Sequence, residues 1–130
     1  MAQIRILVVE DNNDNLELVR FLLERAGYQV LEAHDGQMGM DLAHQEIPDL
    51  ILMDLSLPGV DGWTAARELK ADPQTTSIPL LALTAHTLPG DRNRAIESGF
   101  DGYISKPINI QNFAVDIEQA LRAKKTSNKG

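Results

Sequence analysis

At 130 residues, 43% of them hydrophobic, the chain is the size of one globular domain that closes its own core, with no room for a second. A formal net charge of -7 disfavours tight nucleic-acid binding, which draws its affinity from lysines and arginines neutralising phosphates, so no direct DNA contact is expected. The absence of cysteine excludes disulfides, thiolate metal sites and cysteine nucleophiles.

The first apolar run, Ile4 to Val9, is interrupted by Arg5 and far too short to span a bilayer. It reads as a strand rather than a signal peptide or anchor, and a cytoplasmic protein without membrane insertion is expected. From Asn15, apolar residues fall at Leu16, Val19, Leu22, Leu23 and Ala26, and Gly27 supplies a left-handed stop; the spacing predicts a helix. Gln29 to Ala33 is a second strand, and Met38 to Gln45 has a weaker helical pattern. Leu50 to Met53, almost wholly aliphatic, predicts a strand covered on both faces. A helix over Trp63 to Ala71 ends at Asp72-Pro73, and Leu80 to Leu83 is a fourth buried strand. A fourth helix is predicted from Asp91 to Ser98, closed by Gly99, followed by a strand over Tyr103 to Ser105. Phe113, Ala114, Ile117 and Leu121 mark a fifth helix from Ile110 to Ala123. Residues 1–123 thus form one (βα)5 domain, an α/β fold with a parallel sheet and helices on both faces. The tail from Lys124 to Gly130 has no apolar residue and is expected to be disordered.

Parallel strands deliver their carboxyl ends to one edge, which is where function is sought. Strand one ends in Glu10 and Asp11, strand three in Asp54, strand four in Thr84, and strand five runs into Lys106-Pro107. Three carboxylates at one edge repel each other unless a cation or a lysine neutralises them. Oxygen-only ligands favour Mg²⁺ or Mn²⁺ over zinc, and Lys106 offers a compact positive charge. Taken alone, Asp11 serves equally well as a helix cap, Thr84 as a β-branched strand residue and Lys106 as a surface lysine. Asp54 is harder to explain structurally, because it closes a run of Leu, Ile, Leu and Met. His34 and His44 have no partners at metal-ligand spacing and read as surface residues.

Four blocks, ILVVEDN, DLILMDLSLPGVDG, LLALTA and GYISKP, resemble in order and spacing the receiver domains of bacterial response regulators, over about Ile4 to Ala123. GYISKPI looks closest to small stand-alone regulators of the DivK type. The resemblance implies a flavodoxin-like doubly wound sheet in the order 2-1-3-4-5. It implies Asp54 as phosphoacceptor, with Glu10, Asp11, Asp54 and the Ser56 backbone carbonyl around Mg²⁺. Thr84 matches the hydroxyl that bonds a phosphoryl oxygen, Lys106 the lysine that pairs with Asp54 and then with phosphate, and Tyr103 the aromatic switch residue. The peptide between Lys106 and Pro107 is expected to be cis. Ser56 and His86 flank the route of attacking water and are expected to tune dephosphorylation, although His86 reads equally as a solvated loop residue.

The implied donor is a phosphohistidine on a sensor histidine kinase or histidine phosphotransfer protein. Its helical bundle would dock on Asn15, Leu16 and Val19 with Pro107 and Ile108, unless Leu16 and Val19 are core. Output would pass to an unknown protein target through helix four, strand five and helix five, from a monomer or weak dimer. Such a chain is a signalling switch with only autocatalytic phosphorylation and dephosphorylation, not an enzyme. Three rivals fare worse. A calcium loop starting at Asp11 fails because Leu16 and Leu22 stand where glycine and a bidentate glutamate are required. A phosphatase built on Asp54 lacks a second acid two positions on. A scaffold without phosphorylation does not explain the intact set of Glu10, Asp11, Asp54, Thr84 and Lys106.

Overall fold

The computed structural model describes residues 3–55, 62–84, 93 and 96–129, with side chains described as far as residue 122. Its strands are β1 (Arg5–Val9), β2 (Gln29–Ala33), β3 (Leu50–Asp54), β4 (Leu80–Thr84) and β5 (Gly102–Ser105). Its helices are α1 (Asn13–Arg25), α2 (Gly36–Glu46), α3 (Gly62–Ala71) and α4 (Ile110–Lys129). All strand pairs are parallel, in the order β2-β1-β3-β4-β5, so the flavodoxin-like order holds. The aliphatic runs that predicted two-sided burial are buried at every position of β3 and β4.

Strand alternation divides the core into two layers. Leu7, Val9, Ile51, Met53, Leu80 and Ala82 face α2 and α3, meeting Met40, Ala43, Ala65, Ala66 and Leu69. Ile6, Val8, Leu50, Leu52, Leu81, Leu83 and Ile104 face α1 and α4, meeting Leu16, Val19, Leu23, Phe113 and Ile117. Among the described residues no helix is long and apolar enough to cross a membrane.

Helix ends follow local chemistry. The side chain of Asn12 caps α1, accepting from the Asn15 backbone N–H at 3.0 Å, and Asp35 caps α2 by accepting from that of Met38 at 2.8 Å. Gly27 and Gly99 both take the positive φ, 98° and 108°, that their predicted role as stops requires. Of the predicted fourth helix, Asp91 to Ser98, residues 91, 92, 94 and 95 lie outside the described residues, while Asn93, Ile96 and Glu97 are helical. At the other end of the chain, apolar spacing stops at Ala123, but the backbone of α4 stays helical to Lys129. Residues 124–129 hold no apolar side chain, so no periodicity could mark that extension.

Two positions carry steric constraints. Ile47, the C-cap of α2, sits at φ 43° and ψ 67°, a left-handed conformation that costs a β-branched residue roughly 1–2 kcal/mol. Gly62 opens α3 against the end of β3: a Cβ there would lie 2.7 Å from the Asp54 carbonyl oxygen and 2.9 Å from Leu55 Cα. Both neighbours are backbone atoms and cannot rotate away.

Ile47→Gly is therefore expected to raise stability by roughly 0.5–1 kcal/mol in urea denaturation, the strain relieved outweighing the added chain entropy of glycine. A loss would mean that the half-exposed isoleucine side chain contributes more than its backbone costs. Gly62→Ala is expected to lower stability by about 1–3 kcal/mol, because the clash can be relieved only by moving the packed start of α3 or the strand end that carries Asp54. An unchanged urea midpoint would show that α3 shifts freely.

Candidate functional site at the carboxyl edge of the sheet

The strand register builds the site. Val9 pairs with Met53, Asp54 with Leu83 and Thr84 with Ser105. Glu10, one residue beyond Val9, is therefore level with Asp54 on a strand about 4.8 Å away. The two-residue period that turns Val8, Leu52 and Ile104 toward α1 and α4 carries Glu10, Asp54 and Lys106 to that same face. Lys106 is anchored by its backbone N–H, which donates to the Thr84 carbonyl at 2.8 Å, and its peptide bond to Pro107 is cis, as expected.

These placements bring the charged groups into contact. The Lys106 ammonium donates to Asp54 Oδ2 at 2.8 Å and to Glu10 Oε1 at 3.1 Å. Glu10 is wholly buried and Asp54 nearly so. The second oxygen of Glu10, Oε2, accepts from the Asn12 backbone N–H at 3.3 Å. Asp11 is exposed beside them, and its alternative role as a helix cap is filled by Asn12. Glu10, Asp11 and Asp54 each offer a carboxylate oxygen within 4.8 Å of the others, the one such group of three among the described residues. Three hard oxygen donors so close suit Mg²⁺ or Mn²⁺, and no nitrogen or sulfur donor belongs to the cluster.

Crowding perturbs the protonation equilibria. Burial, with the hydrogen bond and repulsion from Asp54, pushes the Glu10 carboxyl up to about 7 against the pull of Lys106. Burial also opposes the charge on Lys106, but the hydrogen bonds and attraction from Asp54 and Glu10 outweigh it, and its ammonium is held more firmly than usual. The edge therefore stores negative charge that one lysine only partly offsets, a setting that favours capture of a cation.

The remaining predicted residues divide. Thr84 is buried at the end of β4. Tyr103 is partly buried and packs against the layer that includes Ala82, its register partner. Residues 103 and 105 share a face of β5 and Ser105 pairs with Thr84, so Thr84 and Tyr103 stand on the same side of the sheet, opposite Lys106. Ser56 and His86 lie outside the described residues. Two contributors were not singled out from sequence. Asn12 fills the cap and so leaves Asp11 to the cluster, and Gly62 lets α3 start against the backbone of Asp54. A run of Asp and Asn before a helix signals that a cap exists without saying which residue provides it. His44, read as a surface residue, is exposed, and its ring is also paired to Asp72 at 2.7 Å.

The chain is similar to known proteins in both sequence and fold. Residues 6–118 match the response regulator receiver domain family. The chain is 40% identical over 116 residues to the polar-differentiation response regulator DivK of Brucella anthropi, covering 89% of this chain and 94% of that protein. It is similar to a putative response regulator of Chloroflexus aurantiacus, with a TM-score of 0.89 and 28% identity, covering 93% of this chain and 99% of the other. The receiver domain of a Pseudomonas aeruginosa sensor histidine kinase, solved with a magnesium ion coordinated in its active site cleft, gives a TM-score of 0.85 and 34% identity. That likeness covers 92% of this chain and 98% of the other. Fold, carboxyl-edge acids and sequence agree, and the chain belongs to the response regulator receiver domain family of two-component signalling.

Proposed function

We propose that this chain is a phospho-accepting switch whose acceptor is Asp54, fed by a phosphohistidine on a sensor histidine kinase or histidine phosphotransfer protein. The observation that carries the reading is the Lys106 ammonium lying between Asp54 and Glu10 while Glu10, Asp11 and Asp54 converge. One oxygen of the Asp54 carboxylate attacks phosphorus in line, the bond from phosphorus to the histidine nitrogen breaks, and the imidazole leaves with that electron pair and takes up a proton. Glu10, Asp11 and Asp54 would hold Mg²⁺, which would supply positive charge for the phosphoryl oxygens. Lys106, already 2.8 Å from Asp54 Oδ2, needs little rearrangement to follow the charge onto the phosphoryl group. Burial of Glu10 and Asp54 keeps bulk water from weakening these interactions.

The product carries acceptor oxygens that the Thr84 hydroxyl can approach, and movement of Thr84 opens the same side of the sheet to Tyr103. The proposed output face is the segment after β4 together with β5 and α4, where Ile110 and Val115 are exposed. Ser56 and His86 are proposed to set the lifetime of the phosphorylated state. Donor docking must be redrawn in part: Leu16 and Val19, offered as docking residues, are 4% and 0% exposed and belong to the core beneath α1. The outer side of that helix instead presents Asp14, Glu17 and Phe21, with Pro107 exposed nearby in sequence to Lys106.

Incubation with acetyl phosphate and Mg²⁺ is expected to add a single phosphoryl group, read by intact mass. The adduct should be absent without a divalent cation and absent in Asp54→Ala. A folded, Mg²⁺-binding protein that gains no adduct would overturn the reading, and an adduct surviving in Asp54→Ala would move the acceptor elsewhere.

A further inference from the structure

On the face of the sheet opposite α1 and α4, α2 and α3 border an open groove of about 730 Å³. His44, in the last turn of α2, crosses it. Its ring nitrogen Nδ1 lies 2.8 Å from the Met40 carbonyl oxygen, and Nε2 lies 2.7 Å from Asp72 Oδ2, just beyond the end of α3. Both partners are acceptors. A backbone carbonyl has no proton to give, and the Asp72 carboxyl is held below its usual range, first by the hydrogen bond from the Gln74 backbone N–H and then by His44. A neutral imidazole carries one N–H and one lone pair, so it satisfies only one of these partners; the imidazolium, with two N–H groups, satisfies both.

We propose that His44 is a proton-operated latch, joining the end of α2 to the turn after α3 when protonated and releasing one of them when it loses its proton. The charged groups that line the groove with the ring are all acidic, Asp41 from α2, Glu68 from α3 and Asp72 itself, and of these Asp72 and Asp41 act directly to favour the latched form. Among the described residues that line the groove there is no lysine or arginine to oppose them. The carboxyl end of α2 adds the negative pole of its helix dipole. In agreement with this geometry the His44 pKa is raised, chiefly by the Met40 carbonyl and then by Asp72, against a smaller desolvation cost.

The latch matters for the approach to β4. Asp72 organises the turn that follows it: its carboxylate accepts from the Gln74 N–H at 2.8 Å, and its carbonyl accepts from the N–H groups of Thr75 and Thr76. That turn leads directly into β4, which ends at Thr84. Because the folded-state pKa lies above the unfolded value of 6.5, the stabilisation is fully present below pH 6.5 and is lost as pH rises through the folded pKa. The latch operates whether or not Asp54 is phosphorylated.

The direct test is an NMR titration of the His44 ring in the intact, unphosphorylated protein across about pH 5.5 to 9. The expected midpoint lies above 6.5 and moves down in Asp72→Asn, while the advantage in urea stability over His44→Gln is full at the acid end and closes through the same midpoint. A wild-type midpoint at or below 6.5 overturns the latch even if neither variant folds. So does a wild-type advantage that stays constant with pH.

Discussion

Everything at the carboxyl edge depends on charge compensation between the Lys106 ammonium and the buried carboxylates of Asp54 and Glu10. Holding two buried carboxylates on adjacent strands is costly, several kcal/mol for each charge left without a partner. A single ammonium within 2.8 Å and 3.1 Å of the two meets part of that cost. The remaining imbalance shows in Glu10, whose carboxyl is pushed up to about 7 by burial and then by Asp54. The site is thus stable enough to fold while remaining receptive to added positive charge, as the proposed phosphoryl acceptor requires.

The fold supplies this arrangement through register rather than through any one loop. A slip of one residue between β1 and β3 would turn Glu10 or Asp54 to the opposite face, away from Lys106. The aliphatic runs resist such a slip because each strand is locked on both sides, by α1 and α4 on one face and by α2 and α3 on the other. The same two-layer core that stabilises the domain therefore sets the spacing of its chemistry. Close backbone approach at Gly62 adds a local constraint, seating α3 against the end of β3.

Much of this was legible in the sequence, and the reasons are physical. Continuous aliphatic runs ending in Asp54 and Thr84 announce buried parallel strands, and the structure carries each strand through to that terminal residue. Glycine marks the stops at Gly27 and Gly99 because few other residues adopt positive φ. Where such signals fail, so does the reading. Ile47 caps α2 in a conformation that isoleucine disfavours, so nothing in its identity marks the end. The polar stretch after Ala123 has no periodicity to show that α4 continues. The choice between Asn12 and Asp11 as cap depends on which side chain meets the Asn15 N–H, and composition does not contain that information. Likewise, spacing could not separate Leu16 and Val19 as core from the same residues as a docking surface. The bond between His44 and Asp72 joins positions 28 residues apart, beyond the reach of any local pattern.

The most direct test of the central claim is urea denaturation without divalent cations of the wild type, Lys106→Met, Glu10→Gln and the double variant. Charge compensation predicts that Lys106→Met alone loses about 3 kcal/mol, discounted somewhat because Glu10 can take up a proton near neutrality. It also predicts that Glu10→Gln restores part of that loss, since one fewer carboxylate then lacks a partner. A Lys106→Met protein as stable as the wild type, or a double variant whose losses simply add, would contradict the account.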